Sequence, residues 1–176
     1  MKRLSTTPVA IAASLFLAMV TANQPAFAVQ PWCGEQAFQG VGLPDQSPSG
    51  VMIQLVEVKR ISPTDVRATW TLRNTTKTKQ RLTKGGSGWS DGYHLAWDAE
   101  LLDPAARVKY AVVKDKEGTP LAGKHPPAGP TSGIVLGAGR TMTTWATFSV
   151  PAEMQKVTVM LPGASTPFDD VAITAP

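Results

Sequence analysis

The feature that most constrains the fold of this chain is a strict alternation of apolar and polar side chains over residues 66–73. The apolar positions are Val66, Ala68, Trp70 and Leu72, and the polar positions are Arg67, Thr69, Thr71 and Arg73. Because successive side chains on a strand point to opposite faces, this pattern predicts a strand with one buried and one solvated face. Strands of this kind are typical of antiparallel sheets.

Several further segments are candidates for strands, and turn residues separate them. They are residues 51–61, 80–83, 93–101, 108–112, 142–148, 157–161 and 171–174. In the first of them Leu55 and Val56 are adjacent, which predicts a β-bulge or burial on both faces. Asp115–Gly118 is typical of a hairpin turn with glycine at a positive φ. No segment carries a helical pattern with caps at both ends, so the sequence predicts an all-β domain.

The number and spacing of these strands favour an immunoglobulin-like antiparallel β-sandwich of about seven to nine strands. A closed barrel produces the same periodicity of two, so the sequence leaves sandwich and barrel both open. In either architecture Trp70, on the apolar face of the clearest strand, is a candidate for the core.

The first 28 residues have the composition of a secretory signal peptide. Lys2 and Arg3 precede an apolar stretch over residues 8–20, and the small residues Ala26 and Ala28 mark a cleavage site. The predicted organisation is a cleaved signal peptide (1–28), an extended arm (29–50) and one domain (51–176). No later apolar run approaches the roughly 18 residues that span a bilayer. The sequence therefore predicts export to a periplasm or to the extracellular space, without a transmembrane segment.

The charge balance and the single cysteine further restrict the possible partners and the possible covalent links of the chain. Without its first 28 residues the chain has 15 basic and 13 acidic side chains, and this near balance in an exported protein argues against nucleic acid as a partner. Cys33 has no second cysteine to pair with in the chain, so it is buried, free, or paired with another molecule. No spacing of histidine and cysteine predicts a metal site, and no motif predicts a cofactor.

Short motifs follow one another in a recognisable order over residues 51–174. They are VRATWTLRNT at 66–75, LLDP at 101–104, KY at 109–110, KDKEG at 114–118, WATF at 145–148, VTVMLPG at 157–163 and PFDDV at 167–171. Together they resemble a largely uncharacterised family of exported bacterial immunoglobulin-like domains, some of which precede an outer-membrane-protein-A-like domain. The resemblance implies a β-sandwich and supplies no catalytic residues.

The segment Gly88–Gly92 matches the G-x-S-x-G pattern of a nucleophile elbow. Ser90, then Asp103 or Asp115, then His125 follow the chain order of an α/β-hydrolase triad. That mechanism requires a strand–turn–helix context, whereas a strand is predicted directly after this segment. We therefore interpret the match as a glycine-rich loop and predict that the protein is not an enzyme, with a serine hydrolase as an alternative.

A run of basic side chains lies between residues 59 and 84, interrupted by a single acidic residue, Asp65. This run predicts either an anion-binding surface or a solvated face that discourages edge pairing. Trp89, in the adjoining glycine-rich loop, is the best candidate for an exposed aromatic anchor. The candidate binding residues are Arg73, Lys77, Lys79, Arg81, Lys84, Trp89, Tyr93 and His94.

These observations lead to one expected function and two alternatives. We expect a non-catalytic secreted or periplasmic module that binds another envelope or secreted protein, or an anionic envelope polymer. The first alternative is a periplasmic inhibitor or immunity-type protein that blocks an enzyme. The second is the serine hydrolase that uses Ser90.

Overall fold

A computed structural model describes residues 34–43, 47–84, 92–129 and 133–176 of the chain. These residues form ten strands and no α-helix, which confirms the all-β prediction. The strands are β1 (Glu35–Ala37), β2 (Val51–Arg60), β3 (Asp65–Asn74), β4 (Gln80–Arg81), β5 (Glu100–Asp103), β6 (Val108–Ala111), β7 (Val135–Leu136), β8 (Thr141–Ser149), β9 (Lys156–Met160) and β10 (Phe168–Thr174).

Eight of these strands form one curled sheet, in the order β6-β5-β9-β10-β2-β3-β8 with β1 beside β2. The pairs are antiparallel except for β10 and β2, which run parallel and place Ile173 opposite Val58. Strands β4 and β7 form a separate two-stranded sheet. The molecule therefore contains a mixed sheet rather than a purely antiparallel one.

The curled sheet brings its two end strands together. Just beyond β6, Val112 forms a bridge with Phe148 of β8, and Ala122 forms another with Ala146. The immunoglobulin-like sandwich is not confirmed, because a sandwich needs two facing antiparallel sheets and this sheet is mixed and resembles half of a barrel. The strand pattern along the chain is equally compatible with both, since only the pairing between distant strands distinguishes them.

The interior of the curled sheet is filled by the predicted apolar face of β3. Val66, Ala68, Trp70 and Leu72 are all fully buried, so the alternation over 66–73 is confirmed. Alternate residues of β8 point to the same interior, as predicted for Ala146 and Phe148. Burial of apolar surface on this scale is the main stabilising contribution to the fold.

The irregularity predicted in β2 is a β-bulge. Leu55 pairs with Trp70 and Glu57 pairs with Thr69, so Val56 is the extra residue. Its side chain is 44% exposed, because the bulge directs it away from the interior.

The strand predicted over 93–101 is wrong for most of its length. Residues 92–98 form helical turns, in which the Trp97 amide donates a hydrogen bond to the Tyr93 carbonyl, and the strand begins only at Glu100. Leu95, Ala96 and Ala99 are all buried there, so the apolar spacing satisfies a helical turn as well as a strand. Periodicity over so short a segment does not distinguish the two.

The segment before β2 also contributes to the core. Phe38 follows β1 and is 2% exposed, and its amide donates a hydrogen bond to the Val51 carbonyl. Its ring packs against Gly163, where a Cβ atom would collide with the ring. Gly163 has φ of 75°, a conformation that glycine adopts without strain.

We predict that Gly163→Ala destabilises the protein more than Gly139→Ala does. Both glycines have positive φ, but a Cβ at Gly139 meets no atom within 4 Å. The two variants therefore have the same backbone strain. The collision with Phe38 lowers the free energy of unfolding of Gly163→Ala by about 1–3 kcal/mol more. Urea unfolding of both variants measures the difference, and equal losses would contradict the packing of Phe38 on Gly163.

Candidate anion-binding site

The candidate site lies on the small sheet formed by β4 and β7. Arg81 pairs with Val135, and the next residue, Leu82, is fully buried. The Leu82 amide donates a hydrogen bond to the Ile134 carbonyl. Because side chains alternate along a strand, burial of Leu82 directs Arg81 to the surface, and Lys79 shares that outward face.

Asn74 holds the turn before β4 against β7. Its buried amide nitrogen is 2.8 Å from the Thr78 carbonyl oxygen and 2.9 Å from that of Gly137. Its Oδ1 accepts hydrogen bonds from the amide and the hydroxyl of Thr76. A buried polar side chain with several partners fixes local geometry, so the turn that carries Lys77 and Lys79 is rigidly attached.

A groove of about 360 Å³ opens beside this sheet. Lys79, Arg81, Ala128 and Val135 line it, and we call it the basic groove. It combines two cationic side chains with two apolar walls. Its volume is within the usual range for small-ligand sites, roughly 300–1,000 Å³.

The two chain segments that supply the residues lining the basic groove carry a strong charge asymmetry. The described residues of 66–84 and 118–152 contain no acidic side chain. The basic residues in these segments are Arg67, Arg73, Lys77, Lys79, Arg81, Lys84, Lys124 and Arg140. Arg73 is the one of these that pairs with a carboxylate among the described residues, at 2.7 Å from Glu35. A surface of one sign attracts anions over several ångströms.

The candidate residues predicted from sequence fall in different places. Lys79 and Arg81 meet in the basic groove, and Lys77 and Lys84 are exposed on either side of them. Arg73 lies on β3, where Glu35 neutralises it. Trp89 lies outside the described residues.

Tyr93 and His94 lie on the helical turns at 92–98. The Lys124 ammonium is 5.6 Å from the centre of the Tyr93 ring, and the His94 ring lies 5.5 Å from that of Trp97. Tyr93 is almost fully buried, so it contributes mainly to the core.

Three contributors to the site were not predicted from the sequence. Ala128 and Val135 lie about fifty residues after Lys79 and reach it only through the pairing of β4 with β7. Asn74 continues the buried alternation of β3, and that position was the one available signal of its structural role.

His125 of the proposed hydrolase triad lies opposite the end of the glycine-rich segment. Its amide donates a hydrogen bond of 2.7 Å to the Gly92 carbonyl. Burial lowers the pKa of His125 below its usual value. Ser90 lies outside the described residues, so the triad stays a prediction.

Two further findings concern metals and membranes. Within the described ranges, no three side chains of histidine, cysteine, aspartate or glutamate lie together in a way that could hold a metal ion. No helix in the described part of the chain has the length and apolar character needed to cross a bilayer.

Comparisons with protein-family models, with curated proteins and with solved structures found no match to this chain.

We predict that His125 makes the protein less stable as the pH falls below about 6.5. The folded state binds a proton on His125 less readily than the unfolded state does. The free energy of unfolding therefore decreases as the pH falls from the pKa of His125 in the unfolded state to its lower pKa in the folded state. Urea unfolding between pH 8 and 5 measures the effect. His125→Gln should flatten the curve, with His94→Gln as the matched control because it leaves His125 in place. A curve unchanged by His125→Gln would contradict the prediction.

Proposed function

We propose that this protein is a non-catalytic, exported envelope module that binds an anionic envelope polymer through the basic groove. The observation that carries the proposal is that Lys79 and Arg81 line the same groove, whose other walls are apolar. The two cations bind phosphate or carboxylate groups, and Ala128 and Val135 accept the apolar surface of the same polymer.

The electrostatic setting supports an anionic ligand. An arginine guanidinium donates two parallel hydrogen bonds to a carboxylate or phosphate, and a lysine ammonium adds a mobile point charge. Among the described residues no acidic side chain forms an ion pair with Lys79 or Arg81. Both cations are therefore available to an external anion.

The segment that carries Lys79 and Arg81 is firmly attached to the rest of the fold. This attachment supports a binding site rather than a solvated face without a function. The Asn74 side chain holds the turn before β4 through bonds to Thr78 and Gly137. Leu82 anchors the strand from below. A ligand therefore meets Lys79 and Arg81 on a fixed backbone, which reduces the conformational entropy lost on binding.

The test compares two double variants in binding to immobilised lipopolysaccharide and lipoteichoic acid. Lys79→Gln with Arg81→Gln should weaken binding roughly tenfold or more, because two charge-assisted contacts are lost. Lys114→Gln with Lys116→Gln is the matched control, since it removes two exposed lysines two residues apart. Binding of the native protein should weaken as salt rises.

Three outcomes would contradict this function. They are equal binding by the two double variants, binding to neutral dextran as strong as to the anionic polymers, and binding that is insensitive to salt. Capture of one dominant protein instead of a polymer would favour the inhibitor hypothesis.

Export is part of the proposal, and it rests on the signal-peptide composition of residues 1–28. We expect the protein in a periplasmic or extracellular fraction to begin near Val29. Mass spectrometry of the intact protein checks this directly. A protein that keeps its first residues and stays in the cytoplasm would contradict the proposed location.

We also propose that the chain is related to the exported bacterial immunoglobulin-like domains that its motifs resemble, and that its strands form a variant of their sandwich. The support is local: the motif at 66–75 covers most of β3, and the motif at 114–118 contains a turn with Gly118 at φ of 81°. A crystal structure with two facing antiparallel sheets would support this relationship. A fully closed mixed barrel would contradict it.

A further inference from the structure

The segment that precedes β2 is hydrogen-bonded to both sheets of the molecule. We call residues 34–43 the docked arm. At its start β1 pairs with β2 of the curled sheet, with Gln36 opposite Ile53. Near its end Val41 forms a parallel bridge with Thr83, shortly after β4 of the small sheet. The docked arm therefore connects the curled sheet to the sheet that carries the basic groove.

Val41 forms two backbone hydrogen bonds to the segment after β4. Its amide donates one of 3.0 Å to the Leu82 carbonyl, and its carbonyl accepts one of 3.0 Å from the Lys84 amide. The Leu82 amide is bonded in turn to the Ile134 carbonyl. Because Leu82 directly follows Arg81, the backbone that positions the Arg81 guanidinium is held both by Ile134 and by the docked arm.

The first half of the docked arm is fixed by a buried ring and by a side-chain amide. Phe38 is 2% exposed, and the amide of the next residue, Gln39, donates a hydrogen bond to the Gly163 carbonyl. The Gln36 side chain accepts a hydrogen bond from the Thr166 amide and donates one to the Thr166 carbonyl. These contacts lie on the curled sheet and involve no residue that lines the basic groove.

A turn at Gly40 joins the two halves of the docked arm. Gly40 has φ of 84°, a conformation that glycine adopts without strain. Because Val41 follows Phe38 so closely in the chain, burial of the Phe38 ring determines where the Val41 bonds form. Release of Phe38 therefore also releases the backbone next to Arg81.

We propose that the docked arm is a positioning element of the basic groove, so that docking of the arm and binding of an anion strengthen each other. The inference rests on the proposed function of the groove and adds a regulatory contact to it. Two sites that favour the same state of a shared element are coupled, and the coupling is reciprocal. The shared element is the backbone at 82–84. An anion bound by Arg81 stabilises the docked arm, and a detached arm weakens binding of the anion.

Hydrogen exchange of the purified protein with and without lipoteichoic acid tests the coupling. The readout is the exchange rate of the Phe38 amide, which donates to the Val51 carbonyl outside the groove. We expect saturating polymer to slow this exchange roughly fivefold or more. The slowing should exceed that of the Leu101 amide in β5, since stabilisation of the whole fold would slow both equally. Lys79→Gln with Arg81→Gln should abolish the slowing, because it keeps the arm and removes the two cations.

A variant of the arm tests the reverse direction. Phe38→Ala should weaken binding of lipoteichoic acid roughly fivefold or more, because the docked arm is released. Leu101→Ala is the matched control, since it also removes a buried apolar side chain but takes it from β5, which pairs with β6 and β9. This control should bind like the native protein.

A second variant loosens the arm without creating a cavity in the core. Gln36→Ala should speed exchange of the Lys84 amide, which donates to the Val41 carbonyl, while the Leu101 amide keeps its native rate. Its matched control is Gln155→Ala, because the Gln155 side chain is exposed and bonds only to the nearby Glu153 carbonyl among the described residues. The control should leave the Lys84 rate unchanged.

The outcomes separate this inference from the proposed function. Absence of binding by the native protein would overturn the proposed function, and this inference with it. Where the native protein binds, three results would overturn the inference alone. They are equal slowing of the Phe38 and Leu101 amides, equal affinities of Phe38→Ala and Leu101→Ala, and an unchanged Lys84 exchange rate in Gln36→Ala.

Discussion

The burial of one face of β3 is the interaction on which the rest of the structure depends. This strand is hydrogen-bonded along its length to β2 on one edge and to β8 on the other. Its apolar face, centred on Trp70, lies against the interior of the curled sheet. Its last residue, Asn74, donates hydrogen bonds to the carbonyl oxygens of Thr78 and Gly137 and so fixes the turn before β4. The end of β3 therefore holds the small sheet with the basic groove in place.

The parts of the fold that were predictable from sequence are those determined by near neighbours. The alternation at 66–73, the bulge at Val56 and the turn at Gly118 each have a local physical cause, and all three are present. The helical turns at 92–98 were missed because a few apolar residues satisfy two periodicities at once. The choice between sandwich and barrel depends on which distant strands pair, and the local pattern does not contain that information.

The candidate site was likewise predictable only where it depends on the residues themselves or their near neighbours. The basic run identified Lys79 and Arg81, because charge is a property of the residues themselves. The run did not predict that Arg73 would be neutralised by Glu35, or that Val135 would form a wall of the groove, since both contacts join distant segments. Sequence thus predicted the charge of the site, while the pairing of β4 with β7 determines its shape.

The position of β10 has a consequence for how the molecule forms. This strand is the last in chain order, yet it lies between β9 and β2 in the middle of the sheet. The pairing of Ile173 with Val58 joins segments more than a hundred residues apart. Contacts of such large sequence separation are slow to form, because the loop entropy is lost before they stabilise the chain. Strands β9 and β2 are therefore joined only once β10 has docked between them, and we expect this pairing to be a late step of folding.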